Sequence, residues 1–361
     1  MAHPLSGADL GTLVSVFRTG GTPDRWGKTL GIIGAALGRA PFTSLEHALL
    51  TPGTPRPEAL QPPVFILGHW RSGTTHLYNV MSLGDFGYVP PVAVGMPWDM
   101  LGLARVVRPL LERQLPETRF IDNIPVTPTS PQEDEIGIAN MSPLSFYHGI
   151  YFPKQFDSLI DRGLFFEGCN AGQVAAWKGR FLLFLRRLAH AQGEPLLIKN
   201  PVYTARPDLL AEMFPGAKFI HIHRNPFDVF LSMRNFYNKL LAELALQKVP
   251  EDLDIDATIT RVYARMMTQF EAETEGWQAP YYVELPYDLL DTQPMVALEQ
   301  IYTTLELPNF ATAAPKFSAY LETVKTFEKN AFRGDLEAIA KVRESCGPWI
   351  DKWGYVEPEP A

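Results

Sequence analysis

The sequence lacks the features that mark several common protein classes. It has two cysteines, Cys169 and Cys346, which lie too far apart in the chain for a C-x-x-C metal or redox motif. We see no window of ~18 consecutive apolar residues, so we expect no membrane-spanning segment. The start shows no basic segment followed by an apolar one, so we expect no signal peptide. These absences predict a cytoplasmic protein.

An excess of positive charge is also missing. The formal net charge is −8, which argues against a protein that binds nucleic acid by neutralising phosphates. Apolar residues make up 46% of the chain, and 361 residues suffice for one large α/β domain or two small ones. The 32 prolines predict many irregular connections.

One stretch has the order strand, loop, helix that is typical of phosphate-binding sites. Val64 to Leu67 is a short apolar run that predicts a buried strand, and Gly68 to Gly73 is a loop bounded by glycines. A helix is predicted from Thr74 onward, and its N–H groups and dipole would attract an anion. The spacing fits a nucleotide P-loop, except that Thr74 replaces the usual lysine and the loop carries Arg71 instead.

Two further cations follow apolar runs that predict strands. Lys199 ends one run and Arg224 ends another, so both should lie at the carboxyl edge of a parallel sheet. Asn225 and Pro226 suit the start of a helix, and Ser232 would lie about two turns from Arg224. An alternative is purely structural, with Arg224 paired to Asp228 and the serine bonded to a helix carbonyl.

These segments, in this order, resemble the sulfotransferases that use 3′-phosphoadenosine 5′-phosphosulfate (PAPS), over residues 63 to about 305. The resemblance to this family, which includes bacterial, protein-tyrosine and heparan-type enzymes, implies an α/β fold with a P-loop-like parallel sheet flanked by helices. It implies in-line transfer of a sulfuryl group from PAPS to a hydroxyl or amine, with adenosine 3′,5′-bisphosphate (PAP) as product and no metal required.

The resemblance also implies roles for particular residues. Lys199 would assist the bridging oxygen, and Arg224 with Ser232 would hold the 3′-phosphate. The 5′-phosphosulfate would be held by Arg71, Ser72, Gly73, Thr74 and Thr75. A loose match at Lys329 to Gly334 falls where family members close a loop over the adenine and 3′-phosphate.

The acceptor needs a general base within hydrogen-bond reach. The candidates are Glu133, Asp134, Glu135, His69 and His76. We favour Glu135 and then Glu133, because a similar acidic stretch occurs in bacterial members of the family. Negative charge on the donor would raise the pKa of His69 and favour anchoring. An alternative for the acidic stretch is a helix N-terminus with favourable charges.

The rest of the chain suggests how it is divided and what it accepts. We predict a helical extension and proline-rich linker at 1–60, then a sulfotransferase domain at 61–361 with an irregular insertion at 84–172. The aromatic residues of that insertion would cover an apolar or lipid-like acceptor, or pack a second core. Residues 1–50 would pack on the main domain or contact a membrane surface peripherally.

Two other functions stay open at this point. A P-loop kinase shares the fold and the loop, but the missing loop lysine and the lack of an apolar run ending in a magnesium-binding aspartate argue against it. A non-enzymatic member of the family that retains a nucleotide site is the second alternative. Arg71, Lys199, Arg224 and Ser232 argue for activity.

Overall fold

The computed structural model describes residues 3–109, 113, 127–324 and 336–358. Its strands are β1 (Val64–Leu67), β2 (Leu197–Lys199), β3 (Lys218–His223) and β4 (Tyr282–Pro286). They form a parallel sheet in the order β2-β1-β3-β4. In this sheet Val64 is paired with both Leu197 and Lys218. The predicted α/β fold with a parallel sheet is therefore confirmed.

Helices precede, follow and separate the strands along the chain. The described α-helices are α1 (Leu10–Gly20), α2 (Trp26–Leu49), α3 (Thr74–Met81), α4 (Pro91–Gly95), α5 (Leu103–Val106), α6 (Glu135–Ala139), α7 (Tyr147–Tyr151), α8 (Phe156–Phe165), α9 (Ala171–Gln192), α10 (Pro207–Met213), α11 (Pro226–Leu244), α12 (Ile255–Glu273), α13 (Tyr287–Thr292), α14 (Pro294–Thr304), α15 (Phe310–Val324) and α16 (Leu336–Trp353). None of these described helices is long and apolar enough to cross a bilayer.

The chain forms two compact units, each built from separate stretches. Unit 1 comprises Met1–Gln61, Gly87–Leu196 and Asn238–Leu253, and unit 2 comprises Pro62–Phe86, Leu197–Tyr237 and Asp254–Ala361. All four strands belong to unit 2. The division into an extension, a main domain and an insertion stays a prediction.

In unit 2 the sheet is buried because its central strands are apolar on both faces. Every residue of β1 is buried, and the rings of Phe65 and Phe219 stack on neighbouring strands with centroids 5.5 Å apart. At the end of β1, Gly68 has φ +142°, and a Cβ there would lie 2.3 Å from the carbonyl oxygen of Ile222. Only glycine fits this close approach of two backbones.

Unit 1 contains an aromatic core drawn from the proline-rich stretch. Phe146, Tyr151 and Phe152 are completely buried. Phe152 meets Phe17 of α1 edge to face at 5.8 Å, a favourable aromatic geometry. For these residues the structure supports the second-core interpretation, while a role of the insertion as acceptor cover stays a prediction.

Candidate active site

The loop between β1 and α3 has a backbone conformation that its surroundings determine. The N–H of Gly68 donates a hydrogen bond to Thr204 Oγ1 at 2.8 Å. Arg71 has φ +71° and Gly73 has φ +92°, both in the left-handed region. A Cβ on Gly73 would lie 2.2 Å from the ring of Tyr287, so a larger residue would displace the ring that closes this side of the loop.

Helix α3 presents its N-terminus to the loop. Its N-cap residue is Gly73, which has no side chain to occupy the N–H groups of the first turn. The positive end of the helix dipole therefore favours an anion here. Thr75, in the same turn, accepts a hydrogen bond from Lys199 Nζ at 3.1 Å. Lys199 is only 1% exposed, so β2 delivers a buried ammonium group to the first turn of α3.

The structure brings the predicted 5′- and 3′-phosphate residues together. Arg71 Nε donates a hydrogen bond to Ser232 Oγ at 2.7 Å, and this serine is nearly buried on α11. The Arg224 guanidinium makes a longer contact of 3.5 Å with the carbonyl oxygen of Arg71. It also lies 4.6 Å from the ring centroid of Tyr287, within the range of a cation–π interaction. These contacts join the loop, β3 and α11 in one cationic site.

The purely structural alternative for Arg224 and Ser232 is observed for the arginine but not for the serine. Arg224 does form an ion pair with Asp228 at 3.2 Å, one turn along α11. Ser232, however, bonds to Arg71 across the site. The pair with Asp228 is partly exposed, so it is weak and a stronger anion can replace it.

Residues near the C-terminal end of the described chain contact the residues on either side of Arg224. Asn225 Oδ1 accepts the N–H of Phe227, as predicted for a helix start, and its Nδ2 donates to the carbonyl oxygen of Val356 at 3.0 Å. His223 Nδ1 lies 2.8 Å from the hydroxyl of Tyr355. Burial lowers the pKa of His223 to about 4, so this ring is neutral at pH 7.

His69 lies in the loop that follows β1. It is buried, and burial lowers the pKa of its ring to about 4. Its Nδ1 donates to the carbonyl oxygen of Trp70 at 3.0 Å. Desolvation therefore favours the neutral ring, and a role of His69 in anchoring the donor stays a prediction. His76 is half-buried on α3.

The acidic stretch belongs to unit 1, where α6 begins at Glu135. Glu135 is buried, and its Oε1 accepts hydrogen bonds from Ser145 Oγ at 2.6 Å and from the N–H of Phe146 at 3.0 Å. Glu133 is half-buried. The helix-start alternative is thus correct for Glu135, and its role as general base, like that of Glu133, stays a prediction.

Sequence reasoning missed two residues of this site. Tyr287 directly follows β4, and the rule that sites lie beyond the carboxyl ends of strands could have identified it. Thr204 lies in a short 3₁₀ helix (Pro201–Ala205) and has no comparable signal. The stretch Lys329 to Gly334 lies outside the described residues. Within the described ranges, no cluster of three or more His, Cys, Asp or Glu is arranged to hold a metal ion.

Comparisons with known proteins identify what the chain is similar to. The omega-hydroxy-beta-dihydromenaquinone-9 sulfotransferases Stf3 of Mycobacterium tuberculosis and Mycobacterium bovis are each 29% identical to the chain over 305 residues, which is 83% of this chain and 77% of theirs. The crystal structure of sulfotransferase STF9 from Mycobacterium avium matches with a TM-score of 0.69 at 14% identity, over 88% of this chain and 82% of that one. Sulfotransferase STF1 from Mycobacterium tuberculosis matches with a TM-score of 0.57 at 15% identity, over 86% and 85%.

At such identities the two crystal structures speak for the fold alone. The family itself is shown by a sequence model described as "Sulfotransferase family", which matches residues 62–312. That range includes β1 with its loop, Lys199, Arg224 and Ser232, and it covers well over half of the sequence. The chain belongs to the sulfotransferase family.

Proposed function

We propose that this protein transfers a sulfuryl group from PAPS to a hydroxyl or amine of a small or lipid-like acceptor by in-line displacement. The observation that carries the proposal is the grouping of three cations around one loop. Arg71 lies on the loop itself, Lys199 contacts the first turn of α3, and Arg224 contacts the loop from a third segment. A donor with phosphate and phosphosulfate groups suits such a site.

The chemistry needs position and charge more than covalent catalysis. Sulfuryl transfer moves an anionic group between two oxygens, so its transition state resembles that of phosphoryl transfer. Arg71 and the start of α3 would hold the 5′-phosphosulfate, and Arg224 with Ser232 would hold the 3′-phosphate. Lys199 would neutralise the charge that develops on the departing phosphate oxygen. No metal is required in this scheme.

A lipid-like acceptor is favoured over a charged glycan. The relatives at 29% identity are named for a hydroxylated menaquinone derivative, a lipid with a terminal hydroxyl. Residues 86–166 of this chain are dense in aromatic side chains and have few lysines or arginines to bind a polyanion. Family membership argues against the kinase alternative, because the family's reaction moves a sulfuryl group.

An acceptor screen tests the proposal. With PAPS and a panel of hydroxylated polyprenols, sterols and quinols, we expect mass spectrometry to show product that has gained one sulfate group. Heparan-like chains serve as the polyanionic comparison, and ATP replaces PAPS in a parallel series. Preferential sulfation of the glycan would contradict the acceptor class. Phosphorylated product from ATP, or no transfer at all, would favour a kinase or the non-enzymatic alternative.

The general base is tested by two conservative substitutions. We expect either Glu133→Gln or Glu135→Gln to bind PAP normally and to lose transfer by ~10²–10⁴-fold, the usual effect of removing a positioned base. Glu58→Gln, at an exposed site of unit 1, is the matched control. Melting temperatures are needed for Glu135→Gln, because this carboxylate accepts two buried hydrogen bonds. If both variants keep the full rate, the base lies elsewhere and His76 is the next residue to replace.

A further inference from the structure

Helices α1 and α2 of unit 1 carry large apolar side chains that point into solvent. Their exposed fractions range from 38% to 66%, well above the values of the buried core. We call these residues the α1–α2 apolar face: Leu10, Val14, Trp26, Leu30, Leu37, Phe42, Leu45 and Leu49. Exposed apolar side chains in such number on neighbouring segments of the chain indicate an interaction site.

Helix α2 exposes its large apolar side chains, whereas a surface helix usually buries them. At 100° per residue, its buried positions Thr29, Ile32 and Ala36 mark the inward side. Trp26, Leu30, Leu37, Phe42, Leu45 and Leu49 all fall on the opposite arc. The ionisable residues of α2 lie off this arc: Lys28, Arg39, Glu46 and His47. An ordinary surface helix places its charges outward, so this arc suits apolar surroundings.

Charge indicates which apolar surroundings fit. Residues 10–50 contain Arg18, Arg25, Lys28 and Arg39 against Asp24 and Glu46, a net charge of +2 in a chain whose net charge is −8. Arg18 and Lys28 are exposed, whereas Glu46 is buried and the charge of Arg39 is paired with the buried Asp99, so the border rests on the exposed cations. An apolar helical face with a cationic border is the pattern of a helix that lies in the interface of an anionic membrane.

We propose that the α1–α2 apolar face binds the surface of a lipid bilayer that contains anionic headgroups. Helix α2 has 24 residues and would lie flat over about 36 Å of membrane. It is not apolar enough to span the bilayer, which agrees with a surface position. The inference builds on the proposed function, because an acceptor with a long apolar chain would be collected from a membrane.

A second copy of this chain is the main competing occupant. The exposed arc of α2 includes Gly27, Gly31, Gly34 and Gly38, and a Cβ on any of them would meet nothing within 4 Å. A second helix could approach such a surface closely. The cationic border favours a bilayer, since two identical cationic borders would repel each other.

Vesicle sedimentation tests the proposal with the purified full chain, without PAPS or acceptor. We expect wild-type protein to sediment with phosphatidylcholine vesicles that contain phosphatidylglycerol, and less with phosphatidylcholine alone. The triple variant Leu30→Asp, Leu37→Asp and Leu45→Asp should bind at least tenfold more weakly. These positions are exposed, so the variant should still unfold cooperatively, with a melting temperature lowered only by the weaker helix propensity of aspartate. The control is Val296→Asp on α14 of unit 2, where an apolar side chain is also half exposed, and it should bind like wild type.

Three outcomes would overturn the proposal. Wild type could fail to bind either vesicle, or the triple variant could bind as well as wild type. In analytical ultracentrifugation without lipid, a wild-type dimer that the triple variant converts to monomer would assign the face to a second copy. The proposed function is tested separately with a detergent-dispersed acceptor, on which the triple variant should turn over normally. Vesicle binding without any sulfation would refute the proposed function, but it would support the proposal that the α1–α2 apolar face binds a bilayer.

Discussion

Replacing Lys199 by alanine is expected to lower the turnover number by at least about 10²-fold, the usual effect of removing one donor that stabilises transition-state charge. Lys199 is almost fully buried at the end of β2, and its ammonium group lies 3.1 Å from Thr75 Oγ1 in the first turn of α3. A cation held there acts with little screening by water. The rate of sulfate transfer in a single turnover, with PAPS saturating, measures the effect directly.

The control separates the lost charge from general damage. Lys316→Ala removes an exposed lysine of unit 2 on α15 and should leave turnover unchanged. Lys199→Ala must also keep a cooperative thermal transition and its affinity for PAPS, in which the bridging oxygen does not yet carry the charge that Lys199 would neutralise in the transition state. Full activity of Lys199→Ala would remove this residue from the mechanism. A loss shared by turnover, PAPS binding and folding would indicate a structural role instead.

Binding of PAP is expected to be at least tenfold tighter than binding of ADP. The two nucleotides differ in whether a phosphate stands at the ribose 3′ position or extends the 5′ chain. Arg224 and Ser232 would contact the 3′-phosphate, and a hydrogen bond to a charged group contributes roughly 1.5–3 kcal/mol. Arg71 Nε is bonded to Ser232 Oγ, so the residues that we propose for the two phosphates are in direct contact. Titration calorimetry without and with Mg²⁺ measures both affinities.

Substitution of Arg224 should then remove most of this preference. In Arg224→Ala we expect the affinity for PAP to approach that for ADP, while ADP binding changes little. Arg343→Ala is the matched control, because Arg343 also forms an exposed ion pair, with Asp351 on the same helix. Equal affinities in wild type would sink the assignment of the 3′-phosphate site. Tighter, magnesium-dependent binding of ADP would revive the kinase alternative.

Much of the cationic site could be predicted because its parts leave local signals. The apolar run followed by glycine predicts β1 with the same bounds as in the structure. Lys199 and Arg224 could be identified because each is a cation at the end of an apolar run that predicts a strand. Parallel strands then bring these positions to one edge, as the bonds at Arg71 and Thr75 show. The roles of these residues in catalysis stay predictions.

Other features had no local signal because tertiary packing determines them. Tyr287 enters the site only because Gly73 leaves room for its ring. In α2 the apolar residues Leu30 and Leu37 recur at helical spacing, yet both side chains are exposed. Periodicity shows that one side of a helix is apolar, but it does not show whether that side faces the protein.

The order of the strands also has a consequence for synthesis of the protein. The pairing partner of Val64 that is made first is Leu197, 133 residues later, and Lys218 follows. At 5–20 residues per second, the ribosome needs roughly 7 to 27 seconds to make that stretch. During this time an apolar strand has none of its partners in the sheet. Of the four strands, β1 is the one that waits longest, and it is exposed to pairing with other nascent chains.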